Sequence, residues 1–136
     1  MNTNISYEEF KNTDAYTEFI NNNPSIGRLR IKAYSASEAI PISGLRIIVS
    51  KTINNYNVIF FEGYTNDSGI IERISLPAPR LNENNLDAPS STTYEIESTY
   101  DNINKRYNVK MYDDVCVVQN INVKPTIGMR GISYGN

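Results

Sequence analysis

The side chains able to do chemistry are few, and their spacing works against it. The chain has no histidine. That removes Ser-His and Cys-His nucleophile pairs and nearly all zinc sites. A paired-carboxylate hydrolase needs two acids facing one cleft. Asp113 and Asp114 are adjacent, and neighbours on a strand point apart, so the pair reads as a solvated turn. Asn66-Asp67-Ser68-Gly69 opens like a calcium loop, but the further acidic ligands and the closing Glu of an EF-hand are missing. It too reads as a turn. Gly128, Gly131 and Gly135 do not sit between a strand and a helix, so no phosphate cradle is implied. No catalytic residue, metal or cofactor is expected.

Two residue types remain. Cys116 is the single cysteine, so no intramolecular disulfide forms. Its neighbours Val115, Val117 and Val118 point to burial as a small hydrophobe; an exposed thiol would instead cross-link two chains. The ten tyrosines suit interfaces or saccharide stacking, because each carries an apolar body and a polar tip. Tyr94 and Tyr107 share parity with core residues, which leaves Tyr7, Tyr16, Tyr34, Tyr112 and Tyr134 as candidates for exposure. Ordinary β-rich composition accounts for the count equally well.

Composition sets the frame for these residues. A chain of 136 residues fits one domain with a real core. Hydrophobic content of 40% and charged content of 21% are ordinary for a globular domain. A net charge of -2 offers no basic patch for nucleic acid. The first residues lack a basic and then apolar leader, so synthesis in the cytoplasm without a signal peptide is expected. No run approaches the roughly 18 apolar residues of a membrane span.

Residues 5 to 22 read as helical. Ser6-Tyr7-Glu8-Glu9 matches a capping box, and Tyr7 with Phe10, like Tyr16 with Phe19, is a pair three residues apart on one helical face. Thr13 and Asp14 divide the segment into two short helices, and Asn21 to Pro24 end it.

From Gly27 the period changes to two. Leu29, Ile31 and Ala33 alternate with Arg28, Arg30 and Lys32. Pro41 and Gly44 turn the chain into a second strand over 45–52, where Leu45, Ile47 and Val49 share a face. Asn54-Asn55 then offers a hairpin turn. Strand three, 56–64, is apolar on both parities at Val58, Ile59, Phe60 and Phe61, as in a strand covered twice or offering one face to a partner. Strands follow over 70–76, 93–99, 106–112 and 115–123, with Val115, Val117, Ile121 and Val123 inward in the last. The polar loop 80–92 is long enough to cross between sheets. These segments predict a seven-stranded antiparallel Greek-key β-sandwich over 27–125. A helical arm over 1–26 precedes it. A tail over 126–136 follows, carrying Ile127, Met129, Ile132 and Tyr134 among three glycines.

Gly27-Arg-Leu-Arg-Ile31, Ala39-Ile-Pro-Ile-Ser-Gly-Leu-Arg-Ile47, Thr65-Asn-Asp-Ser-Gly69, Leu76-Pro-Ala-Pro79 and Tyr94-Glu-Ile96 are spaced as in the carboxypeptidase regulatory-like domain. The sequence resembles that family over about residues 27 to 124. The resemblance implies a transthyretin-like (prealbumin-like) sandwich. The whole chain also resembles small standalone proteins of spore-forming Firmicutes, and the domain preceding catalytic parts in some spore cortex-lytic enzymes. That implies a non-catalytic accessory or surface module with spore or cell-surface association. The sequence departs from the pattern at Arg106-Tyr107, where many members carry Gly-Tyr. The helical arm and the tail lie outside the module.

Related surface sandwiches weld a Lys to an Asn with an acid's help. Lys32, Asn120 or Asn122, and Glu95 or Glu97 are the residues of those types. Parity opposes the bond, since Lys32 shares a face with Arg30 and both asparagines alternate out against Ile121 and Val123. The expected role is therefore structural: a protein partner, as a homo-oligomer or polymer, contacted through Tyr7, Phe10, Tyr16 and Phe19 of the arm and Ile127, Met129, Ile132 and Tyr134 of the tail. The alternative is a module binding saccharide or peptidoglycan, of cell wall or spore, through exposed tyrosines and the 80–92 loop.

Overall fold

The computed structural model describes residues 2–35, 40–82 and 90–123. The first strand, β1 (Thr3–Ser6), leads into α1 (Tyr7–Phe10) and α2 (Asp14–Asn22). The strands β2 (Ser25–Ser35), β3 (Ile40–Pro41), β4 (Arg46–Ile53), β5 (Tyr56–Tyr64), β6 (Ile70–Ala78), β7 (Thr92–Tyr100), β8 (Ile103–Met111) and β9 (Cys116–Asn122) follow. They form two sheets. One runs β1-β5-β4-β7-β8; the other joins β3, β2 and β6, with β9 on the far side of β2.

The alternation read from the sequence is what closes the two layers. Leu29, Ile31 and Ala33 of β2 are buried against Ile47 and Val49 of β4, Ile74 and Leu76 of β6, and Tyr94 and Ile96 of β7. Arg28, Arg30 and Lys32 take the outer face. Each fully buried Leu or Ile contributes on the order of 2 kcal/mol, enough for side-chain parity to fix the register.

The turns follow local chemistry. Asp101 and Asn102 both hold positive φ, +52° and +67°, between the paired Tyr100 and Ile103. This is a two-residue loop whose twist matches the flanking strands, and it starts β8 at Ile103 rather than at 106. Asn66 Oδ1 accepts from the backbone N–H of Ser68 at 2.9 Å and of Ile70 at 3.0 Å. The Asn66–Gly69 segment is thus held as a turn by its own side chain.

Three expectations change. The described residues hold nine strands rather than seven. Two pairings are parallel: β1 with β5, and β9 with β2. The layers are therefore mixed rather than wholly antiparallel. Residues 5 and 6 are strand, not helix. Thr3 donates to the carbonyl of Asn55 at 2.9 Å, and β1 runs along the otherwise open edge of β5. An edge offers unpaired backbone groups, and satisfying them outweighs the weak propensity of a short helix. The capping box forms as read, with Ser6 Oγ accepting from Glu9 N at 3.1 Å and Glu9 Oε1 accepting from Ser6 N at 3.0 Å.

The double apolar parity of β5 has a geometric cause. Val49 pairs with Phe61 and Ser50 with Ile59, so Phe60 is an extra residue opposite the β4 ladder. Such a bulge lets two successive side chains turn the same way. Phe60 and Phe61 both pack on the main core. The phenyl ring of Phe61 lies over Gly63, where an added Cβ would meet it at 2.7 Å.

Candidate functional site

Of the residues expected to make assembly contacts, the structure brings the N-terminal four together. Phe10 is fully buried and Phe19 nearly so, while Tyr7 and Tyr16 are half-buried. With Val58 they form a second apolar cluster that also takes in Ile5, Ile53, Tyr56 and Phe60. The rings meet at angles. Phe10 is 5.9 Å from Phe19 and 6.1 Å from Tyr16, both edge-on, and Tyr7 is 4.5 Å from Phe60. Phe10 and Phe19 are thus filled by contacts within the chain. Ile127, Met129, Ile132 and Tyr134 lie outside the described residues.

The phenols beside this cluster are held in their protonated, unreactive form. Burial, with Tyr16 beside it, pushes the Tyr7 hydroxyl up to about 12. Burial raises that of Tyr94 further, and its hydroxyl donates to the Pro77 carbonyl at 2.5 Å. Burial lowers the Lys51 amine, which donates to the Thr93 carbonyl at 3.0 Å and lies 5.9 Å from the Tyr94 ring centroid. Both phenols stay protonated at neutral pH, so neither serves as a base there.

The other chemistry-bearing residues are dispersed. Asp113 Oδ2 accepts from Leu81 N at 2.9 Å, whereas Asp114 Oδ1 accepts from Arg28 Nη1 at 3.0 Å. Each acid secures a different segment, and the two form no dyad. Lys32 sits opposite Asn120 in the β2–β9 register. Glu95 and Glu97 belong to the other sheet, where both pair with Arg106, at 2.7 and 3.8 Å. The Lys, Asn and acid of an isopeptide site are therefore not brought together. Of the described tyrosines, Tyr64 alone is exposed, Tyr7, Tyr16, Tyr34 and Tyr112 are half-buried, and Tyr134 lies outside the described residues.

Cys116 is exposed, not buried. Its register explains this. It lies opposite Arg28, on the outer face, while Val117 lies opposite the buried Leu29. Val115, expected inward, is also exposed. Both residues stand at a corner where several contacts meet: Asp114 N donates to the Ile26 carbonyl at 3.0 Å and Arg28 N to the Val115 carbonyl at 2.9 Å. Ile26, Leu81, Val115 and Val118 around this turn are all exposed. Sequence reading missed this corner. The signal for it was the absence of any charged residue between Asp114 and Lys124.

The cavities are small or open. One of about 30 Å³ lies between Leu45, Ser98, Tyr100, Ile103, Lys105, Ile121 and Val123. It has room for about one or two waters, well short of a substrate site. A polar depression lined by Asn12, Thr13, Asp14, Asn54 and Asn55 lies between the α1–α2 turn and the β4–β5 hairpin.

No protein-family model matches the chain, and no curated protein matches it in sequence. Among solved structures it is similar to transthyretin from Sparus aurata, with 14% identity and a TM-score of 0.43 over 70% of this chain and 90% of that one. It is also similar to (S)-allantoin synthase, with 16% identity and a TM-score of 0.43. That match covers 78% of this chain and 44% of the allantoin synthase chain.

Proposed function

We propose that this chain is a non-catalytic structural or assembly protein, a β-sandwich subunit that self-associates. The observation that carries the reading is the group of exposed apolar side chains near the Asp113–Asp114 turn, Ile26, Leu81, Val115 and Val118, four of the seven large hydrophobic residues exposed among the described residues. Exposed apolar side chains gathered at one end of a domain cost solubility and favour a contact with another molecule. The use of each candidate chemical group as a structural tie supports the same reading. Asp113 ties down the backbone at Leu81, Asp114 pairs with Arg28, and Glu95 and Glu97 hold Arg106. The residues shared with the carboxypeptidase regulatory-like domain favour an accessory role of this kind, on a surface or spore structure.

The burial of Phe10 and Phe19 shifts the weight of the proposal away from the N-terminal arm. Deleting residues 1–24 would uncover Val58 and Phe60, and sticking would follow for a trivial reason. The informative experiment is light scattering during gel filtration of the full chain and of a chain ending at residue 125, across a wide concentration range. An oligomer of the full chain that gains mass with concentration is expected. A full chain that remains monomeric at every concentration overturns the proposal.

A further inference from the structure

We infer that residues 2–22 are an arm that two copies of this chain exchange, each arm filling the β5 site of the other copy about a two-fold axis. The inference rests on the self-association reading above. It adds a contact separate from the exposed apolar side chains near the Asp113–Asp114 turn.

The arm docks along a single strand. β1 runs parallel to β5, from Thr3 opposite Tyr56 to Ser6 opposite Ile59. Asn57 Nδ2 donates to Asn4 Oδ1 at 2.9 Å. The rings of the helices meet the same strand: Phe10 lies 5.9 Å from Tyr56, and Phe19 lies 5.9 Å from Phe60. With Val58 they make the second apolar cluster, distinct from the buried residues that join the two sheets. Phe10 is fully buried there. Burying that ring alone contributes on the order of 2 kcal/mol.

The covalent link between arm and sandwich is short. Asn23 and Pro24 alone lie between α2 and β2. The strand that receives the arm is not the one that follows it, since β2, β3 and β4 all come before β5 in the chain. A terminal element tied by a brief link and docked on a later strand changes partners at low cost. Asn23 is bent, with φ −133° and ψ +61°, whereas a following proline favours an extended residue. The bend is held by the Asn23 side chain. Its Nδ2 donates to the Phe19 carbonyl at 2.9 Å, and its Oδ1 accepts from Thr92 Oγ1. The bond to Thr92 is the one that ties the link to the sandwich. Straightening the link gives up that bond and takes Asn23 into the conformation Pro24 favours.

Exchange keeps every contact between the arm and β5 and makes it between chains, so Phe10 and Phe19 stay buried. Monomer and dimer then differ in the link and in the freedom lost when two chains become one particle. The second term shrinks as concentration rises. The occupant is specified by the site, because the surface of β5 is already seen to fit this arm and a second copy carries the same one. Reciprocal exchange closes at two copies.

The test uses Asn4 and Asn57, which face each other across β1 and β5. Asn4→Cys and Asn57→Cys are combined in a Cys116→Ser background. The protein is refolded from urea over a wide concentration range, and the dimer fraction is isolated under reducing conditions. It is then oxidised and run on a denaturing, non-reducing gel, with the single Asn4→Cys variant as a control for random cross-linking. The expected product is a covalent dimer, absent from the control. A dimer fraction that yields only internally bridged monomers overturns the exchange while self-association stands. A chain that stays monomeric at every concentration overturns both. The second measurement needs no disulfide. Four glycines inserted between Asn23 and Pro24 let each arm reach its own β5 without a sharp bend, and should raise the dissociation constant at least tenfold, with thermal melts confirming the fold. An unchanged constant in the folded variant overturns the exchange. If the insertion unfolds the chain, the cross-link decides.

Discussion

The ring of Phe60 meets that of Tyr94 edge-on, with centroids 5.1 Å apart. Tyr94 belongs to the core between the sheets, and Phe60 also packs on the cluster under the helices. This contact joins the two apolar clusters into one body. It exists because a bulge turns Phe60 inward beside Phe61.

Phe60→Ala is therefore expected to cost more than its half-buried surface suggests. The loss is about 3 kcal/mol, the lower end for removing a core Phe. Urea unfolding followed by far-UV circular dichroism measures it. Amide hydrogen exchange should show α1 and α2 losing more protection than β2. A loss under about 1 kcal/mol, an ordinary surface value, would sink the idea that Phe60 couples the clusters.

Two glycines separate backbone strain from crowding. Gly44 and Gly69 both hold positive φ, +77° and +76°. A Cβ at Gly44 meets nothing within 4 Å, whereas one at Gly69 would stand 2.4 Å from the Ala33 carbonyl oxygen. Gly44→Ala should cost about 1 to 2 kcal/mol, the left-handed penalty alone. Gly69→Ala should cost clearly more, since Ala33 O also accepts from Ile42 N and must shift. Equal losses in the two melting curves would refute this ordering.

The raised Tyr7 hydroxyl fixes the sign of the alkaline response. Its folded value of about 12 lies above the unfolded value of about 10. The stability tied to its neutral form is complete below pH ~10 and is lost as pH rises toward ~12. Tyr94 shifts the same way, through burial. Denaturation midpoints should be flat from pH 7 to about 10 and then fall. Tyr7→Phe should shallow that fall; an unchanged slope would show that the hydroxyl does not titrate with unfolding.

Cys116 is exposed on the outer face. A thiol reagent should modify it fully in the folded protein, at a rate that denaturant does not raise more than a few-fold. Cys116→Ser should change stability by no more than about 0.5 kcal/mol. A thiol that reacts only after unfolding contradicts the register of β9. Intact mass on the same samples checks for a Lys32–Asn bond, and a mass lighter by one ammonia would show one.

The sequence alone determined which residues face the core wherever a strand has two ordinary neighbours. Leu29, Ile31 and Ala33 went inward because a period of two leaves no other choice. The capping box at Ser6 and the turn at Asn66 were legible for a related reason: both bond within four residues of chain. Tertiary structure alone decided the rest. Whether Cys116 is inside depends on its standing opposite Arg28, a residue 88 positions earlier, and no local pattern encodes that pairing. The bulge at Phe60 likewise appears only against β4, and the strand character of residues 3–6 only once β5 offers them an open edge. Side-chain alternation specifies a face; the backbone hydrogen bonds that choose a neighbour are the same for every residue type, so only the assembled sheet selects among them.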